Sequence, residues 1–135
     1  MKTATGRLEN KEWQMSQATI SENQLNSLVS TTVTITWKAF AATAAEKGRI
    51  VSSVSFVLPH DYSNGEHTLW LLDSLYSNTN RYQGVLWNTI EPLLDPRRTH
   101  TALSVGDEIQ LYYSESKTVY TWRVEEIGWL LVSRI

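Results

Sequence analysis

Apolar and polar residues alternate most regularly between Thr31 and Trp37. Val33, Ile35 and Trp37 occupy every second position, and threonines fill the positions between them. Because successive side chains of a strand point to opposite faces of its sheet, this period predicts a half-buried strand. One of its faces is then apolar and the other is rich in hydroxyl groups, which suits a packed, hydrogen-bonding interface.

The C-terminal part of the chain shows the same alternation, at Ile109, Leu111 and Tyr113. The elements predicted here are a strand at these residues, a turn over residues 114–117, a return strand over residues 119–127 and a last strand over residues 129–132. Short strands separated by turn residues are typical of a β-hairpin that is extended by one more strand. We therefore expect three neighbouring antiparallel strands in this region.

The period changes to that of a helix between residues 67 and 77. Leu69, Leu72 and Tyr76 recur there at helical spacing, which predicts a helix with one apolar face. An Asn-Gly pair at residues 64–65 precedes this segment and predicts a tight turn.

Four other segments complete the predicted order of elements. They are helices over residues 21–30 and 38–47, a strand over residues 49–58 and irregular structure over residues 91–102. Ser21 and Gln24 are spaced as in a capping box, and Gly48 follows the alanine-rich segment as a helix-ending glycine would. A continued strand or a loop is the alternative for residues 38–47. Pro92 and Pro96 interrupt regular structure in the last segment.

These elements predict a single α+β domain over residues 20–135. We expect a mainly antiparallel, partly barrel-like sheet of about five to seven strands with two or three short helices. Residues 1–19 are polar apart from Trp13 and Met15, and we interpret them as an N-terminal arm. No internal repeat or linker divides the rest.

Composition and charge exclude several classes of function. The chain has 135 residues, a net charge of −2 and no cysteine, but six tryptophans and six tyrosines. The missing cysteine excludes thiolate zinc sites, iron–sulfur clusters and a cysteine nucleophile. The charge gives no general attraction to nucleic acid, so we expect no nucleic-acid partner, and the sequence predicts no cofactor.

The sequence also contains no targeting signal that fixes a compartment. No window approaches 18 consecutive apolar residues, so we expect no membrane-spanning helix. No apolar stretch follows the N-terminal Lys2 and Arg7, so we expect no secretory signal. The compartment stays open, and a cytoplasmic protein and a subunit of an assembled particle both agree with the sequence.

One hairpin resembles a known family. The segment LSVGDEIQLYY at residues 103–113, followed by YTWRVEEI at residues 120–127, resembles a hairpin of sortase-type β-barrels. The resemblance covers about 25 residues and implies a barrel-like architecture. It does not imply the activity, because that family needs a cysteine nucleophile. Independently of the family, Gly106 suits the turn before the strand, and Asp107 can accept hydrogen bonds from exposed amides there.

Two polar segments are candidates for chemistry. His60, Asp61, Glu66 and His67 could contribute nitrogen and oxygen ligands to a metal ion, although their spacing matches no established ligand motif. We favour the simpler interpretation of a solvated turn.

The second polar segment is the loop from Arg97 to His100. Its adjacent arginines, Arg97 and Arg98, could bind an anionic partner. The alternative is that they hold the loop in place by pairing with Asp95 or Glu91. This loop and the His60/His67 segment also carry the alternative hypothesis of a small hydrolase or transferase.

The aromatic residues favour contact surfaces over chemistry. Trp37, Trp87 and Trp122 lie among residues typical of strands and are predicted to be core. Aromatic residues in polar surroundings are predicted to be partly exposed and available for binding, namely Trp13, Tyr62, Tyr76, Tyr82 and Tyr112. Exposed tyrosine and tryptophan are favoured at protein interfaces and in sugar-stacking sites.

These observations lead to a functional hypothesis. We favour a non-catalytic protein-interaction or assembly module, whose aromatic and Ser/Thr-rich surface contacts another protein or copies of itself. The alternatives are the small hydrolase or transferase and a glycan-binding module.

Overall fold

The structure is a computed structural model, and it describes residues 29–39, 52–98 and 100–135. The predicted N-terminal arm with Trp13 lies outside the described residues. So do nearly all of the predicted helix over residues 21–30 and most of the one over residues 38–47.

The described residues form a five-stranded antiparallel sheet with two α-helices. In chain order the elements are β1 (Thr31–Thr36), β2 (Ser53–Leu58), α1 (Gly65–Arg81), α2 (Val85–Ile90), a 3₁₀ turn (Glu91–Leu93), β3 (Glu108–Tyr113), β4 (Thr118–Val124) and β5 (Trp129–Arg134). The strand order across the sheet is β2-β1-β3-β4-β5. The predicted α+β class and the antiparallel pairing are confirmed.

The sheet formed by the described residues is open, so the predicted partly barrel-like character is not confirmed. β2 and β5 lie at opposite ends of the strand order, and closure would require them to pair with each other. Closure is one way for a sheet to bury an apolar face, and packing helices on that face is another. Here α1 and α2 bury apolar side chains against the sheet, so the apolar face is covered without closure.

The core lies between this face of the sheet and the helices. Val33 and Ile35 on β1 are fully buried, as the alternation predicts. On one side they pair with Phe56 and Val54 of β2. On the other side their partners are Leu111 and Ile109 of β3, which are also buried.

Helix α1 begins earlier and ends later than the sequence predicts. Asn64 is its N-cap, and the Asn64 side chain accepts a 2.9 Å hydrogen bond from the backbone N–H of Glu66. The Asn-Gly pair therefore starts a helix and does not form the predicted tight turn. Leu71, Leu72 and Leu75 bury the apolar face of α1. Of the residues whose spacing predicts that face, Leu72 is buried, but Leu69 and Tyr76 are exposed, so the helix is confirmed and its predicted apolar face is not.

Helix α2 depends on a side chain from the end of α1. The Asn78 side-chain oxygen accepts hydrogen bonds of 3.1 and 3.2 Å from the backbone N–H groups of Leu86 and Trp87. These N–H groups lie in the first turn of α2 and have no partner within the helix. Gly84 allows the Asn78 side chain to approach these N–H groups. Its φ is 117°, in a region that residues other than glycine avoid.

The residues before β3 behave as predicted. Gly106 has φ of 100°, which suits its turn. The Asp107 carboxylate is fully buried and accepts 2.8 Å hydrogen bonds from the backbone N–H groups of Ala39 and Ser104. It thereby connects the chain after β1 to the turn before β3.

We expect Asp107→Ala to lower the free energy of unfolding by about 3 kcal/mol, because two backbone donors lose a charged acceptor. Asp107→Asn keeps one acceptor oxygen and should lose less. The control is Asp61→Ala, which removes an acceptor from one exposed N–H, that of Ser63. Urea unfolding measures all three, and equal losses for the two alanine variants would contradict this role of Asp107.

Gly84→Ala should destabilise the fold by about 2 kcal/mol or more, because a Cβ at this φ is strained. That Cβ would also lie 2.1 Å from the Asn78 side-chain oxygen that caps α2. Gly65→Ala is the matched control, since its Cβ would meet nothing within 4 Å. It should be neutral or slightly stabilising by thermal unfolding. A tolerated Gly84→Ala would show that the cap does not constrain this turn.

Candidate functional site

The aromatic residues predicted to be exposed do not form one surface. Tyr76, Tyr82 and Tyr112 are exposed, as predicted, but they lie on α1, just after α1 and on β3. Tyr62 is buried, contrary to the prediction. Its ring stacks on Trp70 with centroids 6.0 Å apart, because the segment before α1 folds back against the helix. Burial raises the pKa of the Tyr62 hydroxyl above its ordinary value.

Arg97 takes the predicted loop-stabilising role. Its guanidinium lies 2.6 Å from the Asp95 carboxylate and forms two side-chain hydrogen bonds to it. These hydrogen bonds lower the pKa of Asp95 to about 2.

Arg98 lies against the sheet. Its guanidinium carbon is 5.1 Å from the centroid of the Trp37 ring, in a cation–π arrangement, and the residue is buried. The Trp37 ring is itself fixed by a 2.8 Å hydrogen bond from its Nε1 to the carbonyl of Thr101. The cation–π contact and this hydrogen bond thus attach the loop to Trp37, the residue that follows β1.

Tyr82 and Arg98, both predicted as binding residues, come together at an open cleft of about 490 Å³. The cleft is lined by Tyr82, Trp87, Glu91, Leu94, Asp95, Pro96, Arg98 and Thr101. Tyr82 meets Trp87 edge to face, with centroids 5.4 Å apart, and Asp95 is engaged by Arg97. The cleft offers an aromatic wall, and two of its charged residues, Asp95 and Arg98, already contact Arg97 and Trp37.

The four candidate metal ligands do not assemble into a centre. The described residues contain no group of three or more His, Asp or Glu side chains that could hold a metal ion. Asp61 accepts a 3.0 Å hydrogen bond from the backbone N–H of Ser63, and Glu66 and His67 are exposed at the start of α1. His60 lies edge-on to Tyr62, with ring centroids 6.4 Å apart.

The open face of the sheet carries the predicted hydroxyl groups. The Thr34 and Ser55 hydroxyls lie 2.9 Å apart across β1 and β2, and the Thr36 and Ser53 hydroxyls lie 3.4 Å apart. Because these hydroxyls bond to one another, much of their hydrogen-bonding capacity is used within the sheet. They form a polar surface on this face of β1 and β2.

An exposed apolar edge is the feature that site prediction from the sequence missed. Ile127 and Ile135 are 93% and 84% exposed, and Leu130, Leu131 and Val132 of β5 are all above 40%. The signal was present in the uninterrupted apolar run of residues 129–132, which contains no lysine or proline. Strand order decides whether such a run lies in the middle or at the edge of a sheet. The exposure of this run could therefore be recognised only from the structure.

The backbone of β5 also directs hydrogen-bonding groups outward. Val119 and Ile135 exchange two hydrogen bonds, of 2.9 and 2.8 Å, so the N–H and C=O of Ile135 point toward β4. These groups alternate in direction along an antiparallel strand. The N–H and C=O of the preceding Arg134 therefore point away from the sheet.

The same rule applies at the start of β5. Val124 makes its backbone hydrogen bonds on the β3 side, to Asp107 and Gly106, so it does not bond to its Cα partner Trp129. Trp129 therefore points its N–H and C=O outward, and so does Leu131 two residues later. Within the described part of the chain, no strand pairs with this edge.

A stripe on α1 lies next to this edge. The Asp73 carboxylate accepts a 3.0 Å hydrogen bond from Trp129 Nε1, which places the middle of α1 beside the start of β5. Leu69 and Tyr76 lie on the same helix face as Asp73, four residues before and three after it, and both are exposed. We call these three residues the α1 stripe.

Comparisons with known proteins add no family to this picture. The chain matches no protein-family model, no curated protein and no solved structure. Among the described helices, none has the length and apolar character to span a membrane.

Stability should fall on mild acidification because of His60. Burial lowers the pKa of His60 below its ordinary value of 6.5, so the unfolded chain takes up this proton more readily than the folded one. The contribution of neutral His60 is therefore complete above about pH 6.5 and is lost as the pH falls below it. His60→Gln should reduce the loss of unfolding free energy between about pH 7.5 and 5.5, measured by urea unfolding.

His67→Gln is the control for this measurement. The variant leaves His60 in place, so it should keep the loss of unfolding free energy that His60 causes on acidification. An unchanged pH dependence in His60→Gln would show that burial of His60 does not affect stability.

Proposed function

We propose that this protein is a non-catalytic protein-interaction module that binds a partner's β-strand along the outer edge of β5. The observation that carries the proposal is an edge strand with outward N–H and C=O groups and exposed apolar side chains. Proteins that bind extended segments in this way use main-chain hydrogen bonds for affinity and side-chain contacts for specificity.

The side chains of β5 support this use of the edge. Natural sheets protect exposed edges with lysine, proline or a bulge, because an unprotected edge pairs with other strands. β5 contains neither lysine nor proline, and its one charged residue is Arg134 at its end. Of these protective features, β5 has only a bulge, which lies opposite Thr121 and Trp122. The backbone N–H and C=O groups of Trp129 and Arg134, on either side of the bulge, still point outward.

The opposite edge offers less to a partner. β2 has two serines on its exposed face, with Val57 as its most exposed apolar side chain. Helix α2 lies beside β2, whereas α1 presents Leu69 and Tyr76 next to β5. The apolar and aromatic groups that favour a protein interface are therefore concentrated at β5.

The other hypotheses have weaker support. A hydrolase or transferase would need a reactive group with an adjacent base. In the His60 and Arg97 segments, the Asp61 and Arg97 side chains are engaged in local structure. The glycan-binding module stays a prediction, for which the exposed Tyr82 and the cleft are the available surface.

A nine-residue peptide with the sequence of residues 127–135, IGWLLVSRI, tests the edge directly. The fluorescein-labelled peptide should bind the full chain in an anisotropy titration. Leu131→Pro removes an outward N–H but no hydrogen bond to β4, so it should weaken binding about tenfold or more. Leu131→Ala keeps that N–H and should change binding by about threefold at most.

Circular dichroism and urea unfolding verify that both variants are folded. Peptide binding that is equally strong in the proline variant, or absent from the unmodified chain, would contradict strand addition at β5.

A further inference from the structure

Resting on this proposed function, we infer that the strand bound by β5 is β5 of a second copy of the chain. The two strands run antiparallel about a two-fold axis, with Trp129 of each copy opposite the partner's Arg134. Asp73 of each copy then binds the partner's Arg134, and the two sheets join into one.

The backbone of β5 favours this alignment. Trp129 and Arg134 both direct their N–H and C=O groups outward, so opposing them forms hydrogen-bonded pairs at both ends of the joined strands. The alignment also overlaps all six residues of each β5 strand. The bulge residue Val132 falls next to the two-fold axis, so the bend that it causes lies between the two sets of hydrogen bonds.

Charge complementarity identifies the partner as a second copy. The Arg134 guanidinium lies 5.5 Å from the centroid of the Tyr120 ring, and Asp73 lies at Trp129, at the other end of β5. Both charges are on the face of the sheet that carries the helices, because Tyr120 and Trp129 both pack against the core on that face.

An antiparallel arrangement exchanges these two ends. Each copy therefore brings its arginine to the partner's carboxylate, and like charges are kept apart by the length of the strand. A two-fold axis makes this contact twice, as expected of an interface that uses the same surface on both copies.

The α1 stripe enlarges the interface beyond the strands. A single pair of strands buries little apolar area, and an isolated edge contact would be weak. Because α1 lies beside β5 on the same face of the sheet, the two-fold axis brings the α1 stripes of the two copies toward each other. Leu69 and Tyr76, which flank Asp73, supply exposed apolar and aromatic area at this position.

Sedimentation equilibrium of the full 135-residue chain tests the partner. We expect a species of twice the 15.4 kDa mass of one copy, with dissociation on dilution. Asp73→Arg and Arg134→Asp should each weaken dimerisation about tenfold or more, and the double variant should recover to within about threefold of the unmodified chain. Asp73→Asn keeps an acceptor for Trp129 but removes the charge, so it should also weaken the dimer.

The register has its own test, because the chain contains no cysteine. The proposed alignment places Leu130 opposite the partner's Ser133. A mixture of the Leu130→Cys and Ser133→Cys variants should therefore form disulfide-linked dimers on mild oxidation, and neither variant should do so alone.

The outcomes separate the two proposals. A chain that stays monomeric at about 1 mM while binding the peptide of residues 127–135 would overturn the second copy as partner and leave strand addition intact. A chain that neither dimerises nor binds that peptide would overturn both. Dimers that are insensitive to the charge reversals, or cross-linking within either single cysteine variant, would overturn the alignment.

Discussion

Val33 and Ile35 on β1 hold the described structure together, because β1 is paired on both sides. Each side chain is fully buried and has an apolar partner on β2 and another on β3. Full burial of one such side chain contributes about 1.5–3 kcal/mol. The two residues also fix the register, since a shift by one position would place threonines in the core and expose the apolar set.

This arrangement has an unavoidable consequence for the surface. An open sheet that buries one face under helices leaves the opposite face and two edge strands exposed. The open face is polar, and its threonine and serine hydroxyls bond across the strands. The β5 edge is not polar in the same way, since the chain there is apolar up to Ser133. The protein interface that we propose would use the outward backbone groups and the apolar side chains together.

Some of the residues predicted for binding are buried because they pack against other side chains of the fold. Tyr62 and Arg98 lie on the sequence among polar residues, yet Tyr62 stacks on Trp70 and Arg98 packs on Trp37. Neither contact can be identified from the residues adjacent in the sequence. The burial of Tyr62 and Arg98 could therefore not be predicted. Tyr76 is exposed, as its polar surroundings predict. Its helical spacing with Leu69 and Leu72 predicts a buried position instead, and of these three residues only Leu72 is buried.

The spacing of apolar residues along the chain is enough to specify β1, the middle of α1 and the three C-terminal strands, and the Gly-Asp pair before β3 is enough to predict Asp107 as an acceptor of backbone hydrogen bonds. These follow from neighbouring residues, whose spacing decides which face is apolar. The strand order, the open sheet and hence the position of β5 at an edge arise only when the elements pack together. That packing also brings Asp73 to Trp129, 56 residues apart in the chain. Strand order is a long-range property that depends on how separate apolar faces pack together, and no local pattern specifies it.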